Sequence, residues 1–282
     1  EISCSLVGSE MCIRDRSESA EDIHKMQEKY SGRIPGANLH YKDAVELVTE
    51  GASEVCLVVE QDVMACRSRN VVARIEGTDK KDEILTITAH YDSVPEGPGA
   101  YDNMAGAAII MELCRYFQQY RPRRTMEFVW FGAEEKGLLG SRDYIRVHES
   151  ELGAHRFNMN VDLAGQLIGG NVLGVTGEAS VCDKLLEIAD GAGIGASVKN
   201  QIWGSDSNSF AWKGIPAMTL NRDGFGMHTR YDTIDLLSAW SLERSAILLG
   251  CIADALGNAE VFPFERKMPE KFIGELDEYM CR

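Results

Sequence analysis

The feature that most restricts the fold of this sequence is a pair of adjacent glutamates, Glu134 and Glu135, close behind the apolar run VWF at residues 129–131. A run of large apolar residues such as this one is typical of the end of a buried strand. Two neighbouring carboxylates in such a place repel each other and lose hydration, and both effects cost free energy. The pair therefore indicates that a compensating positive charge lies near the end of this strand.

Segments with strand and helix patterns alternate from residue 71 onward. This alternation predicts an α/β fold class, with a mixed, mostly parallel central sheet and helices on both of its faces in three α/β/α layers. The strands are predicted at residues 71–75, 83–89, 125–131, 157–161, 170–175 and 217–220, and the helices at 104–120, 138–147, 180–189 and, with a break, 234–256. Before residue 71 the patterns predict helices at 20–30 and 41–49 and a strand at 54–60.

Composition and charge exclude several classes of function. The 282 residues suffice for one large domain, alone or with a small appendage, and the net charge of −15 argues against a nucleic acid or an anionic membrane as partner. No apolar run approaches the roughly 18 residues that span a bilayer. The eight cysteines form no CxxC pair, which argues against a cysteine zinc site. They suggest no disulfide framework either, so we expect a cytoplasmic rather than a secreted protein.

Histidines and carboxylates follow four of the predicted strands. Since ligands bind at the carboxyl ends of the strands in open α/β sheets, these side chains are expected to converge on one edge. Several ionised carboxylates at such close range would repel each other by several kcal/mol even at an effective dielectric constant near 20, so cations must accompany them. Nitrogen and oxygen ligands without sulfur favour a pair of divalent metals, with zinc preferred and cobalt or manganese as substitutes. The residues concerned are His90, Asp92, Asp102, Glu134, Glu135, Asp162 and His228.

Four motifs within residues 70–260 share their order and spacing with one family of enzymes. The runs are AHYDSVPEGPGAYDNMAG, FGAEEKGLLGS, NVDLAG and GMHTRYDT. Together they resemble the co-catalytic di-zinc aminopeptidases of metallopeptidase family twenty-eight, whose superfamily also contains glutamate carboxypeptidases and glutaminyl cyclases. The resemblance implies a zinc exopeptidase fold and two Zn²⁺ ions as cofactors.

The resemblance also implies a role for each metal ligand. Asp102 would bridge the two ions, His90 and Asp162 would complete one site, and Glu135 and His228 would complete the other. The metals would neutralise the repulsion between the acidic groups and lower the pKa of a shared water.

Two further residues take catalytic roles by the same resemblance. Glu134 would be free of metal and act as the general base toward the metal-bridging water, and Asp92 would orient the His90 imidazole. Met227 stands where some relatives carry a tyrosine that helps to hold the oxyanion, and Tyr231 is a nearby replacement. Asp232, together with the threonine that follows it, is expected to cap the next helix.

The function implied by the resemblance is that of a zinc-dependent aminopeptidase, which removes N-terminal residues from peptide substrates. One alternative is a carboxypeptidase acting on acidic dipeptides, which would need arginines such as Arg222 and Arg230 near the site. The others are a glutaminyl cyclase and a binding protein on a catalytically dead scaffold. The sequence predicts peptide as a partner, with no nucleic acid or membrane, and leaves the oligomeric state open.

Four regions are expected along the chain. Residues 1–16 resemble a translated sequencing adapter, so we predict that they are not native and exclude them from the fold. Residues 17–70 resemble the end of a protease-associated lid module and are interpreted as its remnant in an N-terminally truncated chain. Residues 71–265 are predicted to form the catalytic domain, and residues 266–282 a C-terminal tail.

Overall fold

A computed structural model describes residues 2–6, 9–13, 41–54, 56 and 65–281. The chain divides into two units, residues 1–66 and 67–282. In the first unit, strands β1 (Ile2–Leu6) and β2 (Ser9–Ile13) form an antiparallel pair, and helix α1 (Tyr41–Thr49) confirms the prediction for residues 41–49. The helix predicted at 20–30 and most of the strand predicted at 54–60 lie outside the described residues. The interpretation of residues 1–16 and 17–70 stays a prediction.

The second unit contains a seven-stranded sheet flanked by helices. Every strand and helix that the sequence predicts after residue 70 is present, with ends that differ by a few residues. The strands are β3 (Val71–Ile75), β4 (Lys80–His90), β5 (Arg124–Phe131), β6 (His155–Val161), β7 (Asn171–Thr176), β8 (Ala196–Asn200) and β9 (Ala217–Arg222). The helices are α2 (Ala105–Gln119), α3 (Leu139–Val147), α4 (Ala179–Gly191), α5 (Ser207–Trp212), α6 (Ala239–Asn258) and α7 (Glu270–Met280).

The strand order in the sheet is β3-β5-β4-β6-β9-β7-β8. The four neighbours β5, β4, β6 and β9 run parallel to one another. At the two sides, β3 runs antiparallel to β5, and β7 runs antiparallel to β9 while β8 is parallel to β7. The prediction of a mixed, mostly parallel sheet is confirmed.

Side chains alternate between the two faces of the sheet, as the pleat of a strand requires. On β5, Met126 and Phe128 join one apolar core, whereas Val129 and Phe131 join a second core on the opposite face. Burial on both faces explains why the last four residues of this strand, 128–131, are all apolar. The first core takes its helical side chains from α2, α4 and α6, and the second from α3, α5 and α7. These are the three layers that the sequence predicts.

Among the labelled strands and helices of the second unit, three were not predicted from the sequence: β8, α5 and α7. Helix α7 lies in the segment interpreted as a C-terminal tail, and it buries Phe272, Leu276 and Met280 at helical spacing. The acidic residues between them are exposed, as expected of a solvated face. The break expected in residues 234–256 is also present, because a short 3₁₀ turn, Ile234–Leu236, precedes α6. Within the described residues, no helix combines the length and the apolar character needed to cross a membrane.

Candidate metal centre

The parallel part of the sheet brings the predicted ligands to its carboxyl edge. His90 is the last residue of β4, and Asp162 directly follows β6. Glu135 lies in the loop between β5 and α3, and His228 lies in the loop after β9. Asp102 lies in the turn Ala100–Met104, immediately before α2. The sequence-based expectation that these strand ends converge is therefore met.

The five side chains form two groups that share one carboxylate. His90 Nε2 lies 3.2 Å from Asp102 Oδ1 and 3.4 Å from Asp162 Oδ1. His228 Nε2 lies 3.0 Å from Asp102 Oδ2 and 3.1 Å from Glu135 Oε1. Within each group of three, the ligand atoms all lie within 4.8 Å of one another. One oxygen of Asp102 thus faces each group, which is the arrangement of a carboxylate that bridges two metal ions.

The donor set fits divalent metal ions. His90 Nε2 is buried and has no hydrogen-bond partner among the described residues, although two carboxylate oxygens lie within 3.4 Å of it. An unpaired nitrogen surrounded by oxygens is poorly satisfied within the protein alone, and a shared cation satisfies both kinds of ligand. Imidazole and carboxylate together suit zinc, with no thiolate in either group.

The electrostatics of the metal-free centre show the same need for positive charge. Burial works to lower the pKa of His90, but the carboxylates of Asp162 and Asp102 outweigh it and raise the pKa well above its usual value. Burial likewise opposes protonation of His228, yet Asp102 and Glu135 raise the pKa of this imidazole to about 9. Both histidines therefore take up protons when no cation accompanies the carboxylates.

Glu134 lies beside the two groups but belongs to neither of them. Burial raises the pKa of its carboxyl well above the usual range, His90 opposes this shift, and the carboxylates of Asp206 and Asp162 add to it. The two adjacent glutamates therefore have separate places, with Glu135 among the ligands and Glu134 outside them. This separation agrees with the different roles that the sequence predicts for them.

Asp92 connects both glutamates to His90. Its carboxylate accepts the backbone N–H of Glu134 at 3.0 Å and that of Glu135 at 3.2 Å. His90 Nδ1 lies 3.1 Å from the backbone carbonyl oxygen of Asp92 and 3.6 Å from its carboxylate. Asp92 thus orients the imidazole mainly through its main-chain carbonyl. The sequence predicts this role for the residue but does not specify the atom.

Two further contacts at the centre were missed by sequence reasoning. The Asp232 carboxylate accepts the N–H groups of Tyr101 at 2.6 Å and of Asp102 at 3.0 Å, so it fixes the turn that carries the shared ligand. The expectation that Asp232 caps the following helix is wrong, because these amides occupy its oxygens. The Ser205 hydroxyl donates to Asp162 Oδ2 at 2.5 Å. The only sequence signal for Asp232 was its place in the motif that contains His228.

Left-handed backbone conformations cluster around the ligands. Ala133, just before the two glutamates, has a φ of 61°, Leu163, just after Asp162, has 70°, and His228 itself has 61°. Such values are uncommon for residues other than glycine and cost of order 1–3 kcal/mol each. The surrounding fold holds these residues in place, and this orients the ligands toward one another.

The two arginines considered for substrate recognition, Arg222 and Arg230, differ in burial. Arg222 is buried, and its guanidinium donates to the backbone carbonyls of Gln166 and Leu167 and to Asn171 Oδ1. It therefore serves the fold rather than a substrate carboxylate. Arg230 is exposed and donates to the Tyr231 hydroxyl at 2.8 Å.

A cavity of about 640 Å³ lies between α2 and α6. Its lining is mostly apolar and includes Leu113, Tyr116 and Ile247, but none of the candidate ligands. The metal centre is therefore identified by its ligand geometry and not by this cavity.

A pair of His-carboxylate groups that share an aspartate, at the carboxyl edge of a mixed α/β sheet, is typical of the class of metal-dependent hydrolases. Residues 70–250 match the family described as Peptidase family M28. The match covers more than half of the chain, and the chain belongs to this family. The prediction made from the four motifs is confirmed.

Characterised relatives and solved structures agree with this assignment. Aminopeptidase YwaD of Bacillus subtilis (strain 168) is 30% identical over 161 residues, which are 57% of this chain and 32% of that protein. Carboxypeptidase Q of Rattus norvegicus is 26% identical over 241 residues, which are 81% of this chain and 51% of that protein. A solved zinc aminopeptidase from Bacillus subtilis has a TM-score of 0.62 and 26% identity, covering 71% of this chain and 53% of that one. The chain thus spans about half or less of the length of these relatives.

Proposed function

We propose that this chain carries the catalytic centre of a zinc-dependent exopeptidase, and that the enzyme is an aminopeptidase acting on the N-terminal residues of peptides. The observation that carries the proposal is the shared position of Asp102 between the His90–Asp162 group and the Glu135–His228 group. The relatives named as aminopeptidases, one of them a zinc enzyme, support the same function.

Two zinc ions fit this arrangement. His90, Asp162 and one oxygen of Asp102 would hold the first ion, and Glu135, His228 and the other oxygen of Asp102 would hold the second. When bound, the ions would lower the pKa of a water molecule and polarise the scissile carbonyl. They would also balance the charge of the three ligand carboxylates.

Glu134 would move the proton. It stands next to a ligand without being one, and Asp92 fixes the backbone of both glutamates. Its carboxylate would accept a proton from the attacking water and return it to the amine that leaves. Ser205 and Asp232 would hold Asp162 and Asp102 in their ligand positions.

Carboxypeptidase activity is the second candidate, because the carboxypeptidase Q relative aligns with the larger share of this chain. A preference for acidic dipeptides has less support, because Arg222 is occupied within the fold. The peptide substrate, the cytoplasmic location and the two-ion count are parts of the proposal.

A panel of unblocked aminoacyl substrates, blocked dipeptides and N-terminal glutaminyl peptides tests the function. We expect hydrolysis of the unblocked substrates alone, with about two zinc ions retained per chain after dialysis. Glu134→Gln should abolish turnover and keep the zinc, whereas Glu187→Gln, on the exposed side of α4, should leave turnover unchanged. Cleavage of blocked dipeptides would favour the carboxypeptidase, and a chain that holds no zinc would indicate a dead scaffold.

A further inference from the structure

Helix α7 brings a tyrosine of this chain close to the metal centre. The family match ends at residue 250, whereas α7 spans Glu270–Met280. The helix packs on α5, which begins directly after Asp206. Tyr279, in the last turn of α7, is half-buried.

The Tyr279 hydroxyl lies beside Gly204. A Cβ atom built on this glycine would be 3.5 Å from the hydroxyl oxygen. Gly204 immediately precedes Ser205, which donates to the ligand Asp162. The hydroxyl therefore stands next to the segment that supports one of the metal ligands. It has no hydrogen-bond partner within residues 65–281, so it can bond to a ligand without breaking a contact of the fold.

Several contacts fix α7 in this position. Phe272 and Leu276 are buried in the second core, and Met280 is buried as well. Trp212 Nε1 donates to Asp277 Oδ1 at 2.8 Å, and the Arg142 guanidinium donates to the carbonyl oxygen of Met280. The last turn of the helix is therefore anchored on both sides of Tyr279.

The chemistry of its surroundings makes Tyr279 a hydrogen-bond donor. Burial, together with the nearby carboxylates of Glu134, Asp162 and Asp206, raises the pKa of its hydroxyl to about 12. The phenol stays protonated near neutral pH, and its neighbours in the site are acceptors. Tyr231, the hydroxyl suggested by the sequence, is exposed and bonds to Arg230 instead.

We propose that Tyr279 is a substrate-contacting residue whose hydroxyl donates a hydrogen bond to a carbonyl oxygen of the bound peptide, on the side of the site where Glu134 lies. Ionised carboxylates in the site accept hydrogen bonds and cannot donate them, whereas the Tyr279 hydroxyl can donate to a peptide carbonyl oxygen. The inference rests on the proposed exopeptidase function. It adds a recognition element from outside the stretch that matches the family.

The variant Tyr279→Phe removes the hydroxyl and keeps the ring. We expect kcat/KM for unblocked peptides to fall about tenfold, which is the range for one lost hydrogen bond, with unchanged zinc content and melting temperature. Tyr120→Phe, at the exposed end of α2, is the matched control and should behave as the unmodified chain. In the Glu134→Gln background, calorimetry should show that Tyr279→Phe also weakens binding of an intact peptide.

The outcomes separate this inference from the proposed function. If the unmodified chain hydrolyses peptides and Tyr279→Phe equals it in both kcat/KM and peptide binding, Tyr279 does not contact substrate and the proposed function stands. If the unmodified chain hydrolyses no peptide in the presence of zinc, the proposed function fails, and this inference fails with it. Leu276→Ala removes a buried anchor of α7. It should lower kcat/KM more when it is introduced into the unmodified chain than when it is introduced into Tyr279→Phe.

Discussion

The carboxylate of Asp92 accepts the backbone N–H of Glu134 at 3.0 Å, and its second oxygen accepts that of Glu135 at 3.2 Å. One side chain thereby sets the position of the proposed ligand Glu135 and of the adjacent proposed base Glu134. The main-chain carbonyl of the same residue lies 3.1 Å from His90 Nδ1. A change at Asp92 is therefore expected to affect both metal binding and proton transfer, although Asp92 itself binds no metal in the proposed arrangement.

Asp92→Asn is expected to weaken both functions. The amide group of asparagine offers one acceptor oxygen, and its NH₂ would face a backbone N–H, so one of the two hydrogen bonds is lost. We expect zinc affinity to fall about 10- to 100-fold, as for other residues that support metal ligands, and kcat to fall at saturating zinc. Zinc titration and steady-state kinetics measure this, with the exposed Asp143→Asn as control. Unchanged zinc affinity and kcat would contradict the role of Asp92.

Asp232 supports the shared ligand in a similar way. Asp232→Asn should loosen the turn that carries Asp102, because the carboxylate accepts the N–H groups of both Tyr101 and Asp102. Since Asp102 faces both groups, we expect both zinc ions to bind more weakly. Asp235→Asn, exposed in the same segment, is the matched control and should bind zinc as the unmodified chain does. A loss confined to one ion would show that Asp232 acts on one group alone.

Two of the candidate ligands could be placed from the sequence because each of them lies at the end of an apolar run. His90 ends β4 and Asp162 directly follows β6, so a correct strand prediction places both at the same edge. The parallel direction of these strands, which alternation with helices favours, is sufficient to bring them together. The four motifs then assigned the roles.

Asp92 was expected from the motif that contains His90, whereas the supporting contacts of Asp232 and Ser205 could not be predicted, because they depend on the tertiary fold. Asp232 lies 130 residues from the amide of Asp102 that it accepts, and no periodic pattern relates the two. Helix α7 has only three inward-facing apolar residues among acidic ones, so it resembles a solvated tail until α5 is placed against it. Tyr279 lies beside Gly204 only through that packing.

We expect the stoichiometry of zinc to depend on the shared aspartate, Asp102. Asp102→Ala removes a ligand from both groups, whereas His90→Ala and His228→Ala each remove one ligand from a single group. We expect about two ions per chain in the unmodified protein, fewer than one in Asp102→Ala, and about one in each histidine variant. Elemental analysis after dialysis against zinc-free buffer measures this. Equal losses in all three variants would contradict a bridging role for Asp102.

His155 makes the stability of the fold depend on pH. It is buried, and its Nδ1 shares a hydrogen bond of 2.7 Å with the Thr86 hydroxyl. Burial, together with the positive charge of Arg74, lowers the pKa of its imidazole to about 4, against about 6.5 in the unfolded chain. Above pH 6.5 neither state binds the proton, and between pH 6.5 and 4 only the unfolded state binds it, so stability is lost as pH falls. The full loss is about 3 kcal/mol.

Urea unfolding of the unmodified chain and of His155→Gln, both without zinc, measures this effect. The difference between their free energies of unfolding should change by about 3 kcal/mol from pH 7 to pH 4. A difference that stays constant over this range would show that His155 is not the group responsible.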